Sequence, residues 1–188
     1  MDQRDLVERA KRGDHDAFAT LAGDAIARLD AAARLILRDP ELARDGVQDG
    51  YLRAWRTLPA LRDPDRFDAW LRRLIVHSCI DIMRRRRHRA IEVDLTPIDV
   101  AGGGDFTSTI VDRDLVEEAL RHLDPEWRAV VVMHYFLGMP LPDVASTLGI
   151  PLGTAKSRLH RSLGAMRISI AAEALVDSAS AVAGGQLA

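Results

Sequence analysis

The chain has 188 residues, 47% of them apolar, enough for one ordinary domain or two small ones with a hydrophobic core. Its 26 Lys and Arg nearly cancel its 28 Asp and Glu, leaving a formal charge of −2 that excludes a uniformly basic nucleic-acid coat. The single cysteine, Cys79, excludes an intrachain disulfide framework and a Cys-rich metal cage and fits a reducing cytoplasm.

No apolar run reaches the roughly 18 to 20 residues of a membrane span, and Met1-Asp2-Gln3-Arg4-Asp5 is charged where a signal peptide is apolar, so a cytoplasmic location is expected. Nine aromatic residues against abundant Ala, Leu and Arg indicate amphipathic helices rather than sheets. Apolar residues spaced by three and four predict helices from Asp5 to Gly13 (Leu6, Val7, Ala10) and from Asp16 to about Arg38 (Phe18, Leu21, Ile26, Leu29, Ala33, Ile36, Leu37). Asp39-Pro40-Glu41 then starts a third helix running to about Leu58. Val47, Tyr51, Ala54, Trp55 and Leu58 share about a 100° arc and are assigned to the core. Asp45, Gln48, Asp49, Leu52, Arg53 and Arg56 lie elsewhere, on a face suited either to plain solvation or to docking against a partner's helix.

After a loop containing Pro59, Asp63 and Pro64, a helix is expected from near Asp65, with Phe67, Trp70, Leu71, Leu74, Ile75, Ser78, Cys79, Ile82 and Met83 on its apolar side. It ends in Arg84-Arg85-Arg86-Arg87-His88-Arg89. Cations at a helix C-terminus are favoured by its dipole, but five arginines in six residues exceed what a cap needs. They continue a basic row through Arg72, Arg73 and His77, which points to phosphate contact.

The near-neutral total hides a segmental division: residues 1–91 carry +4, 92–112 carry −5, 113–170 carry +1 and 171–188 carry −2. The stretch 92–112, with Glu92, Asp94, Asp99, Asp105, Asp112, Pro97 and Gly102-Gly103-Gly104, lacks helical periodicity and reads as a flexible acidic linker between two helical bundles. The triple glycine is no phosphate loop, since no Lys-Ser or Lys-Thr follows it and no strand pattern precedes it.

Residues 114–122 and 125–137 predict two further helices, Asp124 capping the second and Gly138 ending it, with His134 in a structural role. Leu141-Pro142-Asp143-Val144-Ala145-Ser146-Thr147-Leu148-Gly149-Ile150-Pro151, followed by a helix from about Leu152 to Ile168, is a helix-turn-helix. Val144 and Leu148 face the core, Ala145 permits close approach and Gly149 turns the chain. In its second helix Leu152, Ala155, Leu159, Leu163 and Met166 form the apolar stripe. Thr154, Ser157, Arg158 and Arg161 are placed opposite it, flanked by Lys156 and His160, a set suited to base edges and phosphates in a major groove. The Ala-rich segment from Ala171 is either an extra regulatory segment or an unstructured end, with helix expected as far as Val182.

The run Asp45-Gly46-Val47-Gln48-Asp49-Gly50-Tyr51-Leu52-Arg53-Ala54-Trp55-Arg56, with Phe67, Trp70-Leu71 and Asp81 ahead of the arginines, resembles region two of bacterial RNA polymerase sigma-70 factors of the extracytoplasmic-function group. Leu123-Asp124-Pro125-Glu126 through Gly153-Thr154-Ala155-Lys156-Ser157-Arg158-Leu159-His160-Arg161 is similar to region four. The resemblance implies a region-two domain over 1–91, a linker over 92–112, a region-four domain over 113–170 and a tail over 171–188. Asp45, Gln48, Asp49, Leu52, Arg53 and Arg56 would then dock on core polymerase, whose clamp helices and flap are the implied contacts. Arg66, Trp70, Arg72, Arg73, His77, Arg84, Arg85, Arg86 and Arg87 would capture and melt the minus-ten element. Thr154, Lys156, Ser157, Arg158, His160 and Arg161 would read the minus-thirty-five element. No cofactor, metal or catalytic role is implied, and an anti-sigma partner is.

His77 stands where this family usually has Asn, which predicts an altered minus-ten preference. A free-standing helix-turn-helix regulator would explain 113–168 but not the arginine cluster, Trp70-Leu71 or the polar face around Asp49. A small helical enzyme finds no constellation of catalytic groups.

Overall fold

The structure is a computed structural model that describes the backbone of residues 2–92 and 110–184 and the side chains of 2–89 and 115–172. Among the described residues every regular element is helical, as expected: α1 (Gln3–Lys11), α2 (His15–Leu37), α3 (Pro40–Thr57), α4 (Phe67–Glu92), α5 (Ile110–Arg121), α6 (Pro125–Val131), α7 (Leu141–Leu148) and α8 (Leu152–Gly184). They form two compact units, the first holding α1–α4 and the second α5, α6, α8 and most of α7. No helix among the described residues is long and apolar enough to cross a membrane.

In the first unit, side-chain carboxylates set the helix starts. Asp14 accepts the Ala17 N–H at 3.0 Å, and Asp39 accepts the N–H groups of Glu41 and Leu42 at 3.1 Å, ahead of Pro40 at the first helical position. The Ala17 hydrogen bond and then the Arg9 guanidinium hold the Asp14 carboxyl below its usual range. α3 packs along α4, and α2 closes over both. Leu29, Ile36, Ala43, Ala54, Leu58, Phe67, Leu71 and Ile75 are buried between them.

Two glycines of α3 make the α3–α4 approach possible. A Cβ on Gly50 would stand 2.7 Å from the Ile75 Cα, and one on Gly46 would stand 3.0 Å from the Cys79 Sγ. Burial pushes the Cys79 thiol up to about 12, so it is held protonated and inert.

Several core assignments need correction. Val76 and Ile80 are buried, whereas Trp70, Leu74 and Ile82 are only partly covered, because α4 meets both α3 and α2 and its buried arc is broader than one apolar stripe. Ile26 is 48% exposed instead of internal. Tyr51 and Trp55 are half-buried. The Tyr51 hydroxyl donates to the Ala22 carbonyl at 3.3 Å, and burial, with Asp30 adding to it, raises its pKa to about 12.

In the second unit Ala119, Leu120, Leu123, Val130, Met133, Leu137, Ala155 and Met166 are buried. Asp124 caps α6 by accepting the Glu126 N–H at 2.9 Å. The helix expected over 125–137 does not stay regular: residues Val132–Phe136 open into a π turn, with the Leu137 N–H reaching back to the Val132 carbonyl at 3.0 Å. The widened turn leaves Tyr135 60% exposed, and His134 Nδ1 lies 2.8 Å from the Met139 carbonyl, a structural bond. α7 ends as the sequence indicates. Gly149 has φ +62°, its N–H donates to the Ser146 carbonyl, and the Ile150 N–H donates to that of Ala145. α5 begins at Ile110, so Asp112 lies in a helix, and Glu92 closes α4; the acidic linker between them falls outside the described residues. α8 runs past Val182 to Gly184.

Candidate nucleic-acid interface

Along α3, Asp45, Gln48, Leu52 and Arg56 are exposed, with Leu52 at 47%. Asp49 and Arg53 are half-buried beside them, joined at 2.9 Å, and Arg53 also reaches Asp81 on α4 at 3.3 Å. One guanidinium thus ties the polar face of α3 to the side of α4. Next to this face the surface between α2 and α3 sinks into an apolar groove of about 780 Å³, whose lining includes His15, Phe18, Ile26, Val47, Leu52 and Trp55. The Trp55 ring stacks on His15 at 4.3 Å and meets Phe18 edge-on. Periodicity placed Trp55 and Ile26 inside and so missed the groove; its signal was apolar side chains on two helices beyond what their shared core could cover.

On α4, Trp70 is half-buried against Phe67 with ring centroids 5.8 Å apart. Arg73 is exposed, Arg72 and His77 are half-buried, and Arg84, Arg85, Arg86 and Arg87 are all exposed. Arg86 also reaches the capping carboxylate Asp39 at 3.6 Å, Arg85 Nε donates to the Asp81 carbonyl, and Arg66 pairs with Asp63 at 3.3 Å. Burial first, then the charges of Arg73, Arg53 and Arg84 against the opposing pull of Asp81, lowers the His77 pKa and keeps the imidazole neutral. Apolar anchoring at one end of α4 and an exposed cationic run at the other make a stem that can lie against a phosphate backbone.

On α8, Lys156, Ser157, His160 and Arg161 are exposed and Thr154 is half-buried. Two placements are corrected. Leu152 is 39% exposed, outside the apolar stripe, and the fully buried Ser162 takes a place in it, donating to the Arg158 carbonyl at 2.8 Å. Arg158 therefore flanks the buried stripe instead of opposing it, and its Nη2 lies 2.7 Å from Glu126 on α6. Among the described residues no three His, Cys, Asp or Glu side chains converge as metal ligands.

Two family models match in chain order: Sigma-70 region 2 over residues 25–89 and Sigma-70, region 4 over residues 113–166. The ECF RNA polymerase sigma factor SigM of Mycobacterium tuberculosis is 34% identical over 159 residues, 84% of this chain and 79% of that protein. The chain belongs to the extracytoplasmic-function group of sigma-70 factors. The RNA polymerase sigma-E factor of Streptomyces avermitilis is 32% identical over 136 residues, 72% of this chain and 75% of that one. Among solved structures, CnrH in complex with the cytosolic domain of CnrY superposes with a TM-score of 0.58 at 28% identity, covering 94% of this chain and 99% of that one. The sigma factor RpoE of Bartonella quintana, solved with the anti-sigma factor NepR, shares the fold with a TM-score of 0.66 at 21% identity, covering 81% and 97%.

Proposed function

We propose that this sigma factor docks on core RNA polymerase through the outer face of α3, melts the minus-ten element along α4 and reads the minus-thirty-five element with α8, with no catalysis of its own. The observation that carries the reading is the placement of the exposed arginine run on the unit matched by region 2 and of the helix-turn-helix in the segment matched by region 4. Leu52, 47% exposed amid Asp45, Gln48 and Asp49, has the make-up of a docking face, and the groove beside it extends its apolar area. Trp70, only partly covered, offers aromatic surface to an unstacked base, and the arginines beyond it offset the few kcal/mol that unstacking costs. The protein acts in the cytoplasm. CnrH was solved with the cytosolic domain of CnrY, which supports a protein partner for this chain too, and an anti-sigma factor is the partner proposed.

Co-elution with core polymerase followed by run-off transcription tests this. A sigma factor co-elutes and confers promoter-specific starts, whereas a free-standing regulator binds its operator alone. Asp49→Arg places a second cation beside Arg53 and removes one of its two carboxylate partners. Core affinity is expected to fall at least about tenfold while the thermal midpoint moves only a few degrees. Unchanged affinity would remove α3 from the interface.

A further inference from the structure

α8 rests on the second unit through Ala155, Ser162 and Met166, all buried. Arg158 sits about 60° round the helix from Ala155 and about 40° from Ser162, at the edge of that contact. Its guanidinium meets Glu126 at 2.7 Å, and the two side chains are only 22% and 28% exposed. Glu126 is itself fixed, in the first turn of α6, where the Asp124 carboxylate accepts its N–H and the helix dipole favours its charge. The backbone carbonyl of Arg158 takes the Ser162 hydroxyl. Both ends of Arg158 are thus committed within the unit, while Lys156, Ser157, His160 and Arg161 stay exposed around the same turns.

We propose that Arg158 is a positioning residue: its ion pair with Glu126 fixes the rotation of α8 against α6, and base reading falls to Lys156, Ser157, His160 and Arg161. This rests on the reading of α8 as the minus-thirty-five reader. A guanidinium that contacted base edges would have to leave a short, largely covered carboxylate pair, at a cost in electrostatic energy.

The test uses the full chain with core polymerase, in run-off transcription from a promoter set carrying every base substitution in the minus-thirty-five element and from a pre-melted template that does not need that element. Glu126→Gln, Arg158→Gln and their combination should each lower initiation from the intact promoter by the same factor, about threefold to tenfold, the double variant no more than either single one. The ranking of base substitutions should be that of the wild type, and the pre-melted template should be served equally by all. Arg158→Lys, which keeps a charge for Glu126, should retain most of the activity, an advantage over Arg158→Gln that disappears in the Glu126→Gln background.

Loss of discrimination at a single base pair in Arg158→Gln but not in Glu126→Gln would overturn the proposal, as would multiplying losses in the double variant. So would an Arg158→Lys as weak as Arg158→Gln, a readout that holds even where Gln unsettles the fold. Failure of the wild type to direct specific initiation with core polymerase would instead overturn the sigma-factor reading on which the proposal stands.

Discussion

At Gly50 a single hydrogen atom decides whether two helices can touch. Alanine there would gain about 1 kcal/mol of helix propensity, but its methyl carbon would lie 2.7 Å from the Ile75 Cα, a backbone atom that cannot rotate away. Overpacking of this kind costs about 1–3 kcal/mol, so Gly50→Ala should be net destabilising and lower the thermal midpoint of the first unit. Gly46→Ala should be milder, since its nearest neighbours would be the side-chain atoms Cys79 Sγ at 3.0 Å and Ile82 Cδ1 at 3.3 Å, with the Cys79 Cα at 3.6 Å. A Gly50→Ala protein as stable as the wild type in a melting experiment would show that α3 and α4 do not pack this closely. His77 carries a different kind of consequence. Because its pKa in the folded chain lies below the ordinary 6.5, the stability it contributes is fully present above that value and is lost as the pH falls through the lowered one. On the proposed reading of α4, the imidazole would approach the minus-ten strand in its neutral form at neutral pH. His77→Asn should change the ranking of minus-ten variants in run-off transcription, and the wild-type ranking should be the same at about pH 7 and pH 8. An unchanged ranking in His77→Asn would detach this residue from promoter choice.

The turn between α7 and α8 is the element on which the proposed duplex recognition would depend, and its geometry rests on Gly149 at φ +62°. An alanine held in that left-handed conformation costs about 1–2 kcal/mol, so Gly149→Ala should loosen the turn. The measurable result is weaker use of the minus-thirty-five element at unchanged core affinity; full activity would mean that the chain turns there by another route. This turn was legible in the sequence because Gly between a short apolar helix and a Pro-led one has few other uses. Helix starts at Asp39 and Asp124 were legible for a local reason, a carboxylate followed by apolar periodicity, whereas the start of α2 was read at Asp16, two residues past its Asp14 cap. What periodicity could not supply was which part of an apolar arc finds a partner. Val76 and Ile80 are buried because α2 crosses α4 as well as α3, and Ile26 and Trp55 are left at a groove because no further helix among the described residues of the first unit covers them. Arg158 was misplaced by the same gap, since its neighbour Glu126 is 32 residues away in sequence and nothing in the helical pattern of α8 announces it.

Charge, taken over the whole chain, separates what this protein does alone from what it does in a complex. The arginine run of α4 and the basic side chains of α8 offer phosphate contacts, yet the formal total is −2, because residues 92–112 carry five acidic groups and no basic one. On the proposed reading, the free chain would attract DNA through its cationic faces and repel it through the acidic residues between them, an arrangement expected to keep non-specific binding weak. Replacing Glu92, Asp94, Asp99, Asp105 and Asp112 by their amides takes the formal charge from −2 to +3 while leaving every proposed contact residue in place. The free protein should then bind arbitrary duplex DNA roughly tenfold more tightly at low salt, and the gain should fade as ionic strength rises and the Debye length shrinks below about 10 Å. Fluorescence anisotropy with a labelled duplex, repeated across a salt series, measures both effects. If the amide variant bound DNA no better than the wild type, the acidic segment would have no part in keeping the free chain off DNA, and weak binding would have to come from the geometry of the two units.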